Sequence, residues 1–403
     1  MNDAQDSEVD AANHSTAEAP NDGLVPCTLW ELVRYFLYLG SLGFGGPIAL
    51  AGYMQRDLVE RRRWLSKTDY IEGLALAQLA PGPLAAQLAM YLGWVRAGML
   101  GASAVGLAFV LPSFVMVLVL AALYVQFGGM PWMRGVFYGV GSAVIAIIAR
   151  SVFKLGKLTL AKDRLLWAVF AISAVTTAWT ESEIIWLFVA AGVVTMLIKA
   201  PPRRASSTVA SFAPVWLLAG LHGPATPSVL ATIGWYFAEA GAFVFGSGLA
   251  IVPFLHGGVV GKYHWLNDQQ FLDAVAVAMI TPGPVVITVA FIGFLVAGFA
   301  GAFVAALGTF APCYLFTVLP APYFRRIAKN SQIKAFVDGV SAAATGAIAG
   351  AAFVLGRRAI FDIPTALICL VTLGVVIKFK KIQEPLVILV SGAVGLALSA
   401  FKT

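Results

Sequence analysis

The sequence predicts an all-α, polytopic membrane protein of two homologous, inverted-topology repeats. Each repeat has about five crossings plus a broken or re-entrant Pro-Gly-Pro hairpin. Three observations predict it. First, of 403 residues 60% are hydrophobic and only 12% charged, against about 25% charged in a soluble domain. The apolar residues run in long stretches without strand-like alternation, which points to membrane helices and away from a barrel. Second, a set of motifs recurs at a fixed offset. Third, the basic residues change sides between the two copies.

The repeat sets the domain plan. Phe36, Gly40, Phe44, Gly45, Trp64, Ala77 and Pro81-Gly82-Pro83 recur 201 residues later as Phe237, Gly241, Phe245, Gly246, Trp265, Ala278 and Pro282-Gly283-Pro284. Beyond the break, Gly93, Gly98, Gly101, Pro112 and Gly139 recur 200 residues later as Gly293, Gly298, Gly301, Pro312 and Gly339. Residues 29–200 and 228–403 are therefore taken as the repeats, with 201–227 as linker. Residues 1–28 read as a disordered acidic tail: 1–24 hold Asp3, Asp6, Glu8, Asp10, Glu18 and Asp22 and no Lys or Arg. With no basic start and no apolar core, this is not a signal peptide.

Lys and Arg in short loops mark the cytoplasmic side. Arg56, Arg61, Arg62, Arg63 and Lys67 follow the first apolar segment, whereas the partner loop, 256–269, has only Lys262. Arg325, Arg326, Lys329 and Lys334 stand in the second half where the first has Arg134 alone. Inverted copies explain the swap. Crossings are expected near 29–54, 99–125, 135–155, 164–180 and 183–199, with counterparts about 200 residues later. Segment 70–96 is expected to dip in and return, because each limb is too short to span ~30 Å of hydrocarbon. Arg96 then falls on the side of Arg61–Arg63. Arg357 and Arg358 run against the scheme, in a loop it puts outside.

The breaks carry the functional reading. A continuous helix cannot pass Pro81-Gly82-Pro83 or Pro282-Gly283-Pro284, and Pro83 and Pro284 suit the first position of a following half-helix. Such a half-helix presents unpaired N–H groups and a positive dipole end, an anion site at membrane depth. Gln87, Thr281 and Thr288 lie near the breaks and can donate to an anion. A structural kink is the alternative. Gly45, Gly46 and Pro47, with Gly246, Ser247 and Gly248, interrupt the first segment of each half. They suit either close approach of a substrate or close helix packing. Glu72 and Asp273 are repeat partners and proton-coupling candidates, or helix-start carboxylates favoured by the dipole. Glu239 and Arg34 could pair across the halves, or Arg34 could attract the substrate. Cys27, Cys313 and Cys369 are scattered and the four His form no cluster, so neither a metal site nor a redox cofactor is expected. The basic charge flanks apolar spans, which argues against nucleic acid as a partner.

Phe-Gly-Gly-Pro at 44–47, the stretch from Trp64, Ala-Pro-Gly-Pro at 80–83, Phe-Gly-Ser-Gly at 245–248 and Thr-Pro-Gly-Pro at 281–284 together resemble the chromate ion transporter family in its long, two-domain form. The resemblance implies a bacterial inner-membrane exporter of chromate, driven by the proton gradient, that confers chromate resistance. It also implies sulfate as competitor, membrane lipid as surroundings, and no enzymatic activity. A passive anion channel, or a transporter of sulfate or another oxyanion, is the alternative. A homodimer is compatible with the sequence.

Overall fold

The computed structural model describes residues 24–44, 46–127, 130–160, 163–180, 185–200, 226–243, 251–324, 330–379, 382 and 384–402, and no strand occurs among them. Helix α1 (Leu29–Leu42) opens on a capping box: the Thr28 hydroxyl accepts from the Glu31 N–H while Glu31 accepts from the Thr28 N–H. It stops at Gly43, and α2 (Pro47–Met54) starts with Pro47 in its first turn, then widens into a π turn over Gln55–Arg61. Helix α3 (Lys67–Leu79) leads into the first break. After the break comes α4 (Leu84–Phe127), which is folded on itself at Ala97 and Gly98, Gly98 having φ +58°. A Cβ on Gly93 would strike Gly101, and one on Gly106 would meet Met90, so arms 84–96 and 99–127 lie antiparallel. Helices α5 (Pro131–Thr159), α6 (Arg164–Thr180) and α7 (Ile185–Lys199) complete the half.

The second half repeats the series. It consists of α8 (Pro227–Phe243), α9 (Ile251–His256) with its π turn Gly257–Lys262, and α10 (Asp268–Ile280). A 3-10 turn, Val285–Ile287, precedes α11 (Thr288–Val318), which reverses at Ala297 and Gly298. Helices α12 (Ser331–Ala359), α13 (Ile363–Lys378) and α14 (Glu384–Lys402) follow. Even the left-handed residue after the π turn recurs, as Arg63 and His264. Among the described residues four segments are long and apolar enough to cross a membrane: Leu84–Phe127, Trp132–Lys157, Val285–Tyr323 and Ser331–Ala359.

The break differs in one detail from the sequence expectation. Pro83 is not the first residue of its half-helix but its cap: α4 begins at Leu84, and the Pro83 carbonyl accepts from the Ala86 and Gln87 N–H groups. Pro284 likewise caps the 3-10 turn, with α11 starting only at Thr288. The reason is backbone geometry. Pro284 has ψ 122°, an extended cap conformation, so its carbonyl can accept the first turn's bond but the residue itself stays outside the helix.

The hairpin is compact. Gly73 of α3 packs on Leu88 and Tyr91, and the Tyr91 hydroxyl donates to Glu72 at 3.4 Å, so α3 and 84–96 run back to back about the break. At about 1.5 Å per residue, the 13 residues of α3 cover roughly 20 Å. Residues 24–28 lie along the hairpin's open end. The Val25 N–H donates to Arg63 O, and Arg96 donates to Cys27 O, which puts Arg63 and Arg96 side by side. Residues 1–23 and 201–225 lie outside the described residues.

The halves interlock by exchanging helices. Helix α12 packs against α6 and α7 of the first half, while its repeat partner α5 packs against α13 and α14 of the second. Small residues make the approach possible. A Cβ on Gly139 of α5 would overlap Ser391 O of α14, and one on Gly339 of α12 would stand 2.5 Å from Ala191 O of α7. Gly40 against Phe109 and Gly241 against Thr309 repeat the same device where α1 meets α4 and α8 meets α11. Arg358 of α12, anomalous by the charge rule, is tied to Asp268 at the start of α10, beside His256. Burial pushes the Asp268 carboxyl up, but hydrogen bonds from His256 and Arg358 more than offset this and hold it below the usual carboxylate range.

Gly139→Leu and Gly339→Leu should each cost more than the roughly 1–3 kcal/mol of ordinary overpacking, because backbone rather than a movable side chain blocks the space. Thermal unfolding in detergent should show a lower Tm for both; an unchanged Tm would contradict the exchange of helices.

Candidate functional site

Each Pro-Gly-Pro break is seated in the other half. Gly283 donates its N–H to Gly43 O at 3.1 Å, linking the second break to the interruption between α1 and α2. A Cβ on Gly283 would overlap Ser113 Oγ of α4, with Ser113 Cβ at 3.1 Å. The first break answers this: a Cβ on Gly82 would stand 3.1 Å from Cys313 Sγ of α11. Ser113 and Cys313 are repeat partners, and they reach Gly40 O and Gly241 O respectively. Gly82 has φ +142° and Gly283 φ +97°, conformations a side chain strongly disfavours. Proline on either side of each glycine fixes the remaining freedom of the turn.

With Pro83 as cap, the Leu84 and Ala85 N–H groups have no partner among the described residues; at the second break the same holds for Val285 and Val286. These four residues are repeat partners. The predicted side-chain donors are committed elsewhere. Thr281 donates to Val277 O and Thr288 to Val285 O, and the Gln87 amide donates to Pro81 O at 2.7 Å, leaving its buried oxygen without a partner. Pro81 is half-buried, and Gly82, Pro83, Thr281, Pro282, Gly283 and Pro284 are buried. In the other motif, Gly46 caps α2 ahead of Pro47, and no described atom lies within 4 Å of where its Cβ would stand. Among the described residues, then, nothing packs where a side chain on Gly46 would begin. Gly45, Gly246, Ser247 and Gly248 lie outside the described residues.

Arg34 and Glu239 do not pair. Arg34 is exposed on α1, whose opposite face buries Leu32, Tyr35, Phe36 and Leu39, and it shares its outward face with Tyr38. Glu239, the repeat partner of Tyr38, is half-buried at the matching position on α8, and no ion pair joins it to Arg34 among the described residues. Glu72 and Asp273 have parted roles. Glu72 is half-buried and takes the Tyr91 hydroxyl from its own hairpin. Asp273 is 3% exposed, accepting from the Tyr124 hydroxyl at 2.6 Å and from Gln269 Nε2 at 2.9 Å. Its partner position to Tyr91 is Phe291, which packs on Tyr124 at 5.4 Å. Thus a hydroxyl from the first half serves the second half's carboxylate.

Asp273 also floors a cavity of about 370 Å³ between the end of α4, the start of α5 and the start of α10, within the roughly 300–1,000 Å³ of small-molecule sites. Its lining includes Tyr124, Arg134, Asn267, Gln269 and Gln270. Of these residues sequence reasoning had found Asp273 alone. A signal was present: Arg134 is the lone basic residue of its loop, and Asn267 to Gln270 form a polar run ahead of an apolar helix.

Long apolar helices in two copies, each interrupted by a buried Pro-Gly-Pro break, define a multi-pass membrane protein of the transporter class. A family model described as chromate transporter matches residues 30–196 and 231–396. The chain is 60% identical over 372 residues to a chromate transport protein of Cupriavidus metallidurans, covering 92% of this chain and 93% of that one. It is 57% identical to a probable chromate transport protein of Synechococcus elongatus, over 91% and 95%. It is 30% identical to a chromate transport protein of Pseudomonas aeruginosa, over 92% of each. No solved structure matches. The chain belongs to the chromate transporter family.

Gly283→Ala should destabilise more than Gly82→Ala, because Ser113 blocks the new methyl while Gly82 faces the movable amide of Gln87. Adding Ser113→Gly should recover part of the loss, a coupling on the order of 0.5–3 kcal/mol in a double-mutant cycle. Additive effects would place Ser113 away from the break.

Proposed function

We propose that the chain exports chromate across the bacterial inner membrane, driven by the proton gradient, by alternating access of two inverted repeats about the paired breaks. The observation that carries the reading is the matched pair of amide donors at each break that have no partner among the described residues, Leu84 and Ala85 in one half and Val285 and Val286 in the other. Relatives similar over nine-tenths of the chain bear the name chromate transport protein, which supports the choice of substrate.

Chromate is a tetrahedral dianion, as is sulfate, its expected competitor. Moving it to membrane depth is costly unless preorganised donors replace its water. Each half-helix end offers roughly half a positive charge, so two ends compensate about one of the two. A proton on Glu72 or Asp273, or an arginine nearby, would supply the remainder. Gly46, in the loop that receives Gly283 and with no described atom where its side chain would begin, would let the anion approach backbone. Inversion of the repeats is supported by two sets of contacts. The open end of the first hairpin groups Arg63, Arg96 and Cys27, beside residue 99, while the start of α10 meets Tyr124, at the far end of the arm 99–127. The start of that arm meets the late part of α11, Ser103 lying 2.8 Å from the Tyr314 hydroxyl.

Inside-out vesicles containing the protein should take up labelled chromate when their interior is acid, and an uncoupler should abolish accumulation beyond equilibrium. Uptake that merely equilibrates and ignores the uncoupler would indicate a channel; uptake equal to that of empty vesicles would refute chromate as substrate. In a background lacking the three native cysteines, Arg61→Cys and Lys262→Cys should react with an impermeant thiol reagent from opposite faces. Labelling from one face would refute inversion.

A further inference from the structure

We propose that the cavity between α4, α5 and α10 is a second binding site for a tetrahedral oxyanion, held by Arg134, Asn267 and Gln270, whose occupancy depends on a proton at Asp273. The proposal rests on the transport reading for the identity of the anion but not for the site itself.

The donors are set by helix capping. Asn267 Oδ1 accepts from the Gln270 N–H at 2.9 Å, and Gln270 Oε1 accepts from the Asn267 N–H at 3.0 Å. A capping box needs both amide oxygens turned to the backbone. Both NH2 groups are left as donors, with no partner among the described residues, and both residues line the cavity. Arg134 is the basic side chain of that lining and has no ion pair among the described residues. It presents the planar fork that suits an oxyanion. The site thus has one cation and two amide donors at the N-terminal end of α10, where the dipole also favours negative charge.

Asp273 makes the site conditional. Its carboxylate is the acidic group of the lining, nearly excluded from water, with each oxygen already holding one donor. A dianion in the cavity and a charged Asp273 repel each other, so binding the anion and binding the proton help each other. The groups that surround Asp273 are few. Helix α4 presents Tyr124, α5 presents Arg134 and Tyr138, and α11 presents Phe291. Tyr138 itself donates to Asp362 at the cap of α13. At the first residue of α10, Asp268 is already neutralised by Arg358 of α12 and His256 of α9. Helix α14 also packs on α10, and its acidic residue, Glu384, pairs with Arg150 of α5 at 3.8 Å.

The other half does not repeat this chemistry. The positions matching Asn267, Gln269, Gln270, Asp273, Tyr124 and Arg134 are Ser66, Thr68, Asp69, Glu72, Phe324 and Lys334. Two carboxylates replace one, and Asp69 is spent capping α3 with Ser66. The oxyanion site is therefore one-sided. It lies on the face opposite Arg61–Arg63, which is the exit face in the export reading. There Asp273, on passing its proton inward, becomes the charge that expels the dianion.

The test is equilibrium binding of labelled chromate to the purified full-length protein across the neutral pH range. Wild type should bind more weakly as pH rises. Arg134→Gln should weaken binding on the order of tenfold to a hundredfold, with Arg134→Lys recovering part. Asp273→Asn should flatten the pH dependence relative to wild type; titration of chromate itself is common to both and cancels in the ratio. Tyr124→Phe removes a donor to the carboxylate, so the proton is held to higher pH and the profile should move that way with binding retained. Wild-type affinity in Arg134→Gln, or an unshifted profile in both Asp273→Asn and Tyr124→Phe, would overturn the proposal. Failure of chromate uptake in vesicles, with Arg134-dependent binding intact, would sink the transport reading and leave this site standing.

Discussion

The structure depends on one constraint: a helix broken at membrane depth exposes backbone donors and acceptors that lipid cannot satisfy. The protein meets it by surrounding each break with the other half. Gly283 bonds to Gly43 and packs on Ser113; Gly82 packs on Cys313. Among the described residues, Leu84 and Ala85 in one half and Val285 and Val286 in the other keep amides without a partner.

The same constraint explains the packing of the outer helices. Two repeats that merely touched would leave the breaks at a separable interface. Instead α5 and α12 each dock the closing helices of the opposite half. The glycines that permit this, Gly139 and Gly339, occupy equivalent positions and meet equivalent carbonyls, Ser391 O and Ala191 O. Helix association in lipid has little hydrophobic drive, so close backbone approach of this kind is a main source of cohesion. The two halves differ in the chemistry of one repeated position: Asp273 draws a hydroxyl from Tyr124, where Glu72 keeps Tyr91.

Much of this was legible in the sequence because proline and glycine act locally. Pro81-Gly82-Pro83 breaks a helix whatever surrounds it, Pro47 opens one, and a recurrence at a fixed offset needs no structure to be seen. That Arg96 returns to the end of the hairpin that holds Arg63, both bonded to residues 25–27, was expected from a hairpin with limbs too short to span. Contacts between halves were not legible, because sequence spacing says nothing of which helix faces which. Arg34 and Glu239 were matched by position in the repeat, yet Arg34 is exposed, Glu239 is half-buried, and the two form no ion pair among the described residues. The roles proposed for Arg134, Asn267 and Gln270 arise from the start of α5 and the start of α10 brought together, and the capping box that frees the two amides is visible only as geometry. Thr281 and Thr288 looked like donors by type, but a hydroxyl in apolar surroundings satisfies itself on its own helix first, as both do.

The reciprocal seating of the breaks can be measured directly by cross-linking. In a chain lacking Cys27 and Cys369, with a protease site inserted between residues 200 and 226, Gly82→Cys stands beside native Cys313, and the pair Gly283→Cys with Ser113→Cys tests the opposite seat. Mild oxidation followed by proteolysis should leave the two halves joined until a reductant is added, for both pairs. Halves that separate under oxidation in both variants, with the thiols still free, would contradict the account.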